Sequence, residues 1–106
     1  MSHRPSSSPR SKDPVEIERA EAWVGDAVLA LAARRWILRE DGKVDGAKQA
    51  RLTSNQFLSA CGNPTSVEAR IGRIYEADGL EAAFAHIEET LFPLVEKQEK
   101  NRGRRR

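Results

Sequence analysis

The sequence predicts an all-α fold. Three observations predict it. Apolar residues recur at three- and four-residue steps through most of the chain. No run alternates with the two-residue period of a strand. Turn and stop residues at 40–43, 61–64 and 78–79 divide the chain into lengths typical of helices.

The elements follow in order. Residues 1–13 begin MSHRPSSSPRSK, rich in Ser, Pro and Arg, and read as a basic disordered tail. Asp13-Pro14 is a helix start, with Asp as N-cap, Pro at the first helical position and Glu16 and Glu18 near the positive helix end. The first helix runs to about Arg39. Ala20, Trp23, Val24, Ala27, Val28 and Leu31 form its expected inward face. Glu40-Asp41-Gly42-Lys43 is a turn. A second helix is expected over about 45–60, with Ala47, Leu52 and Leu58 inward. Cys61-Gly62-Asn63-Pro64 is a stop, with Gly62 the expected residue just past the helix end and Cys61 expected to be buried there. A third helix, capped by Thr65 or Ser66, reaches about Ala77, where Asp78-Gly79 breaks it. A fourth spans about 80–98, with Leu80, Ala83, Phe84, Ile87, Leu91 and Leu94 on its face, and Pro93 bending or ending it. The domain is therefore expected at 14–96, followed by a basic disordered tail at 97–106.

Composition excludes several classes. The 106 residues suffice for one core, a modest one that oligomerisation would support. Asp26, Arg34, Arg35 and Arg39 interrupt the most apolar stretch, so no membrane span is expected. The first 13 residues lack the apolar segment of a secretory signal, and a cytoplasmic setting is the expectation. The single cysteine, Cys61, allows neither an internal disulfide nor a cysteine-built zinc site. Of the two histidines only His86 lies within the body, a thin basis for triad catalysis; it is expected on the flank of the fourth helix without a role.

Charge is unevenly placed. Residues 1–13 carry +2 and residues 97–106 carry +5, which against a whole-chain +2 leaves −5 on the body. Basic tails gather phosphate backbones without sequence preference, and they also serve simply as solubilising tails. An acidic body that meets a polyanion needs a reason for its acids, and a carboxylate metal site supplies one.

Two carboxylates lie where packing alone would not put them. Asp26 stands inside Trp23-Val24-Gly25-Asp26-Ala27-Val28-Leu29, and Glu68 inside Val67-Glu68-Ala69-Arg70-Ile71-Gly72. Each is near a glycine that costs a helix interior about 1 kcal/mol relative to alanine. Close helix–helix approach compensates that cost. If the helices cross near Gly25 and Gly72, the two acids converge, and they then need a proton, a cation or a basic partner. The alternative is that Asp26 faces solvent or pairs with Arg70 or Arg73.

These segments resemble a known family. Ala20-Glu21-Ala22-Trp23-Val24-Gly25-Asp26-Ala27-Val28-Leu29 resembles the ribonuclease III signature helix, roughly E-R-L-E-F-L-G-D-A-V-L. Leu52-Thr53-Ser54-Asn55 resembles its L-V-S-N element. Ser66 through Tyr75 (SVEARIGRIY) resembles its second motif, D-x-x-E-A-L-I-G-A-I-Y, and Asp78-Gly79-Leu80-Glu81-Ala82-Ala83 fits the usual continuation. The resemblance spans about residues 15–95, in order. It implies a compact, homodimeric, all-helical, Mg²⁺-dependent endoribonuclease for double-stranded RNA, with Mn²⁺ as an alternative metal. It implies Asp26 and Glu68 as catalytic metal ligands and Trp23 as a dimer contact. Arg70, Arg73, Arg102, Arg104, Arg105 and Arg106 are candidates to contact RNA phosphates.

The chain also departs from the family pattern. The signature helix's two other acids fall on Arg19 and Ala22, and the second motif's aspartate on Thr65. Glu18 and Glu21 are one residue, about 100°, out of register. This loss resembles the Mini-III branch, which lacks a double-stranded-RNA-binding domain and is associated with ribosomal RNA maturation. Only 42 positions separate Asp26 from Glu68, a shorter interval than is usual in the family. The alternative expectation is therefore a non-cutting, ribonuclease-III-like dimer that binds RNA or a ribosome.

Overall fold

A computed structural model describes residues 13–104, with side chains through Asn101. The tail expected at 1–12 and the side chains of Arg102, Arg104, Arg105 and Arg106 lie outside the described residues. The described chain is six helices with no strand: α1 (Pro14–Asp41), α2 (Gly46–Leu52), α3 (Asn55–Leu58), α4 (Pro64–Asp78), α5 (Leu80–Thr90) and α6 (Phe92–Arg104).

Helix α1 begins as its sequence dictates. Asp13 caps it by accepting from the Val15 N–H at 2.9 Å, and Pro14 leads the first turn. It ends where Gly42 takes a left-handed conformation, φ 75°, and donates its N–H to the Leu38 carbonyl.

The helix expected over 45–60 is two helices. The Thr53 hydroxyl donates to the Gln49 carbonyl and the Ser54 hydroxyl to the Arg51 carbonyl, and this ends α2. The Ser54 oxygen also accepts from the Phe57 N–H at 3.0 Å, and this starts α3. Hydroxyls that compete with the backbone ladder are a standard reason for a helix to stop. Helix α4 starts two or three residues earlier than expected. Asn63 is its cap, accepting from the Ser66 N–H at 3.1 Å, and Pro64 is its first residue, so the Asn-Pro pair is a start as well as a stop. Gly79, at φ 99°, separates α4 from α5. Pro93 lies in the first turn of α6, where its missing N–H has no intrahelical acceptor to lose. Helix α6 then continues to Arg104, which corrects the disordered tail expected from residue 97.

The core joins Leu29, Trp36 and Ile37 of α1 to Ile71 of α4, Ala83 and Ile87 of α5 and Val95 of α6, with Leu52, Phe57 and Leu58 closing one end. Trp36 is buried against Phe92, ring centroids 5.2 Å apart, and the Lys48 ammonium lies 5.0 Å over its ring. Lys48 also bonds Asp41 at 2.9 Å, so α2 is clamped to the end of α1.

The rotation of α1 differs from the expectation. Ala20, Trp23, Ala27 and Leu31 are exposed, Val24 is half-buried, and only Val28 of the expected face is buried. The buried residues are Ala22, Gly25, Val28, Leu29, Ala32, Ala33, Trp36 and Ile37. Apolar residues occupy most of the circumference of α1, so periodicity cannot choose its inward side. The glycines choose it. Helix α4 is the principal neighbour of α1. A methyl group on Gly25 would overlap the Glu68 carbonyl oxygen, and one on Gly72 would overlap the Glu21 carbonyl oxygen. The two backbones touch there, and nothing larger than hydrogen fits.

Gly25→Ala should therefore destabilise the fold by roughly 2–3 kcal/mol or more, despite alanine's higher helix propensity, and Gly72→Ala likewise. Gly46→Ala, at a position with open space around the missing methyl, should be neutral or stabilising by up to about 1 kcal/mol. Urea unfolding of the three variants checks this, and equal stabilities would refute the contact.

Candidate functional site

The glycine crossing determines where two acids go. Asp26 follows Gly25 on α1, and Glu68 precedes Gly72 by one turn on α4. With the backbones in contact at those glycines, the Asp26 and Glu68 side chains come into hydrogen-bonding contact. Two carboxyl groups can bond to each other only with a proton between them. Burial of the half-buried Glu68 raises its pKa, and the hydrogen bond with Asp26 and that residue's negative charge raise it further, to about 7. Glu68 therefore keeps its proton into the neutral range. Asp26 itself is exposed at the edge of the contact, so the pair opens to solvent on one side.

The neighbouring acids are engaged elsewhere. Glu18 accepts from the Ser66 hydroxyl at 2.9 Å, and Glu21 from Arg73 at 3.0 Å. Both bonds tie α1 to α4. Ala22, one turn before Asp26, is buried, and Thr65, one turn before Glu68, is exposed. Among the described residues, no three or more His, Cys, Asp or Glu side chains gather where they could hold a metal ion. A cation at this site would have two protein carboxylates and complete its shell with water. Mg²⁺ accepts such a set.

Arg70 and Arg73, the candidate arginines with described side chains, make their contacts elsewhere. Arg70, two residues after Glu68, lies about 200° round α4 from it. It faces α5, where its charge adds to burial in lowering the His86 pKa. Arg73 is half-exposed and bonded to Glu21, as in the surface-pairing reading of that residue. Trp23 is 82% exposed, and Ala20, Ala27, Leu31 and Leu38 continue its stripe along α1. Cys61 is exposed, which corrects the expectation of a buried residue. What cover it has pushes the thiol pKa up, away from a reactive thiolate.

Sequence reading missed a cleft of about 570 Å³ between α2–α3 and α6, where Arg51 meets Glu99. The two residues are 48 positions apart, and no local pattern marks such a pair.

No protein-family model matches the chain, and no curated protein or solved structure matches it. Among the described residues, no helix is long and apolar enough to cross a membrane.

The raised pKa has a consequence for stability. The folded chain holds a proton on Glu68 that the unfolded chain, with an ordinary carboxyl near 4.5, releases. That contribution is fully present below about 4.5 and is lost as pH rises through about 7. Glu68→Gln cannot titrate and should flatten this part of the stability profile. Urea midpoints measured between pH 4.5 and 7.5 check it: a wild-type slope unchanged in the variant refutes the retained proton.

Proposed function

We propose that the chain is a Mg²⁺-dependent endoribonuclease of the ribonuclease III type, acting on double-stranded RNA as a homodimer in the cytoplasm, with a ribosomal RNA precursor as its substrate. One observation carries this reading: Asp26 and Glu68, the two positions where the family resemblance expects metal ligands, meet at the Gly25–Gly72 crossing, and Glu68 keeps its proton into the neutral range. Packing gains nothing from two acids held together in this way. Their mutual repulsion is relieved by a proton or by a cation, and both are available at pH 7.

The chemistry of the donors fits Mg²⁺ or Mn²⁺. Asp26 and Glu68 offer hard oxygens, one from each helix. When bound, the cation would supply an activated water and stabilise charge on the phosphate. The chain's own residues have separate tasks. Glu68 gives up its proton as the site loads. Asp26, at the solvent edge, presents its carboxylate outward to the substrate side. The glycine contact holds the two oxygens' parent helices at a fixed separation, so the site is organised before RNA arrives. Arg102, Arg104, Arg105 and Arg106 would hold RNA phosphates by charge alone. Arg70 and Arg73 are left as peripheral phosphate contacts, with Arg73 released from Glu21.

The apolar stripe of α1 supports the dimer. Trp23 at 82% exposure, with Ala27 and Leu31 beside it, leaves the longest helix apolar on the side away from the core. An exposed apolar stripe with a tryptophan at its centre is the kind of surface a partner covers. A second copy seated on this stripe covers it and provides two carboxylate pairs, one for each strand of a duplex.

One observation favours a second reading. No third acid joins the pair among the described residues, and a dimer with so few ligands fits a non-cutting RNA-binding or ribosome-associated scaffold.

Incubation with long double-stranded RNA separates the two. Cutting that requires Mg²⁺, stops with EDTA and falls roughly 100-fold or more in Asp26→Asn establishes the nuclease. A folded dimer that binds the RNA without cutting it establishes the scaffold. Trp23→Ala should weaken dimerisation by about 2 kcal/mol per protomer, read by sedimentation, and leave the monomer's stability nearly unchanged. Unaltered association would remove Trp23 from the interface.

A further inference from the structure

The α2–α3/α6 cleft belongs to none of the roles above. Its floor is Leu52 and Phe57, both nearly fully buried. Gln56, Gln98 and Asn101 also line it, together with the Arg51–Glu99 pair. That pair is loose. The Arg51 Nη2 donates to the two Glu99 oxygens at 3.4 and 3.3 Å, longer than the 2.7–2.9 Å typical of tight charge-assisted bonds. The Arg51 Nε is buried with no hydrogen-bond partner, which costs free energy and leaves the guanidinium weakly held.

A guanidinium beside a carboxylate is neutral overall, so the cleft does not select a free anion. It offers a donor set next to an acceptor set, with amides that do both. The complementary ligand is planar and neutral, with acceptors on one edge and donors on the adjoining one. Guanine has this pattern. Its O6 and N7 accept from arginine, and its N1–H and N2–H₂ donate to a carboxylate. Adenine places a donor where guanine has O6 and offers no N1–H. Unpaired bases of RNA are read in this way, on their exposed edges. About 570 Å³ is room for one nucleotide.

We propose that the cleft binds an unpaired guanine of the RNA, with Arg51 donating to O6 and N7 and Glu99 accepting from N1–H and N2–H₂. The choice of RNA as the source of the base rests on the function proposed above; the choice of guanine rests on the cleft. The cleft lies between α2–α3 and α6, whereas Asp26 and Glu68 stand on α1 and α4, and neither acid lines it. The cleft is thus separate from the carboxylate pair.

The test uses the full chain, without metal, titrated with guanosine monophosphate, adenosine monophosphate and inorganic phosphate, and read by amide NMR shifts. Expected are saturable shifts confined to residues 50–57 and 98–101 with the guanine nucleotide, binding roughly tenfold weaker with the adenine nucleotide, and none at those amides with phosphate. Glu99→Gln, close in size, should lose roughly tenfold in guanine affinity with its thermal unfolding preserved. If that variant loosens α6, Gln56→Ala, on the α3 wall, should show a smaller loss for the same ligand. Equal binding of both nucleotides, shifts reproduced by phosphate alone, or guanine affinity unchanged in the variants would overturn the proposal. Guanine binding needs neither metal nor Asp26, so a chain that binds it and cuts no RNA refutes only the nuclease, and a chain that cuts RNA with an indifferent cleft refutes only this site.

Discussion

The contact between the backbones of Gly25 and Gly72 is the constraint on which the rest depends. It brings α1 and α4 closer than any side chain would permit. At that distance the rotation of each helix is no longer free. Turning α1 by one residue, about 100°, would drive Val24 or Asp26 into the Glu68 carbonyl. The glycines therefore decide which side of α1 is buried, and with it the membership of the core. They also decide that Asp26 and Glu68 meet. Packing and chemistry are set by one contact, so a change that loosens the crossing cannot spare the site.

The same constraint explains the exposed tryptophan. Helix α1 has enough apolar residues for two faces, and the crossing assigns one of them to the core. Trp36 falls on that side and is enclosed by Phe92 and Lys48. Trp23, thirteen residues earlier and so about 220° away round the helix, falls on the other. Burying an exposed indole and its aliphatic neighbours is worth several kcal/mol. For the proposed dimer that is the main gain of association, made without drawing on the core of either protomer.

Much of the architecture was legible in the sequence, because helix ends are local chemistry. Asp13-Pro14, Gly42 and Gly79 each act where they stand, with partners a few residues away. The split of the second helix was less legible, because Thr53 and Ser54 are unremarkable in a helix until their hydroxyls turn back to the Gln49 and Arg51 carbonyls. The inward face of α1 was misread because periodicity reports that a helix is apolar and cannot say which of two apolar sides meets the core. The carboxylate pair was legible for the opposite reason. A helix-interior glycine beside an isolated acid is costly twice, and the close approach of two such segments explains both costs together. The Arg51–Glu99 cleft left no trace, since it depends on how α6 returns across α2, a long-range outcome with no periodic signature.

The carboxylate pair is best understood through its proton. Two acids in contact cannot both be ionised without a large penalty in a partly dry setting, and the chain meets this by holding the Glu68 carboxyl protonated up to about pH 7. That poise has a functional meaning. A pKa far above neutrality would make any cation compete against a firmly held proton. An ordinary pKa would imply acids already well solvated, with little to gain from a cation. Near 7 the proton would serve as a placeholder in the proposed metal site, released to a divalent ion that relieves the same repulsion. The sparse ligand set points the same way. With two acids the net charge of a loaded Mg²⁺ site is close to zero, so an RNA phosphate approaching it would not be turned away by excess negative charge. Four acids would bind the metal more firmly and repel the substrate more strongly. For the nuclease proposed above, the pair would be a minimal site that relies on its duplex to complete the metal's surroundings.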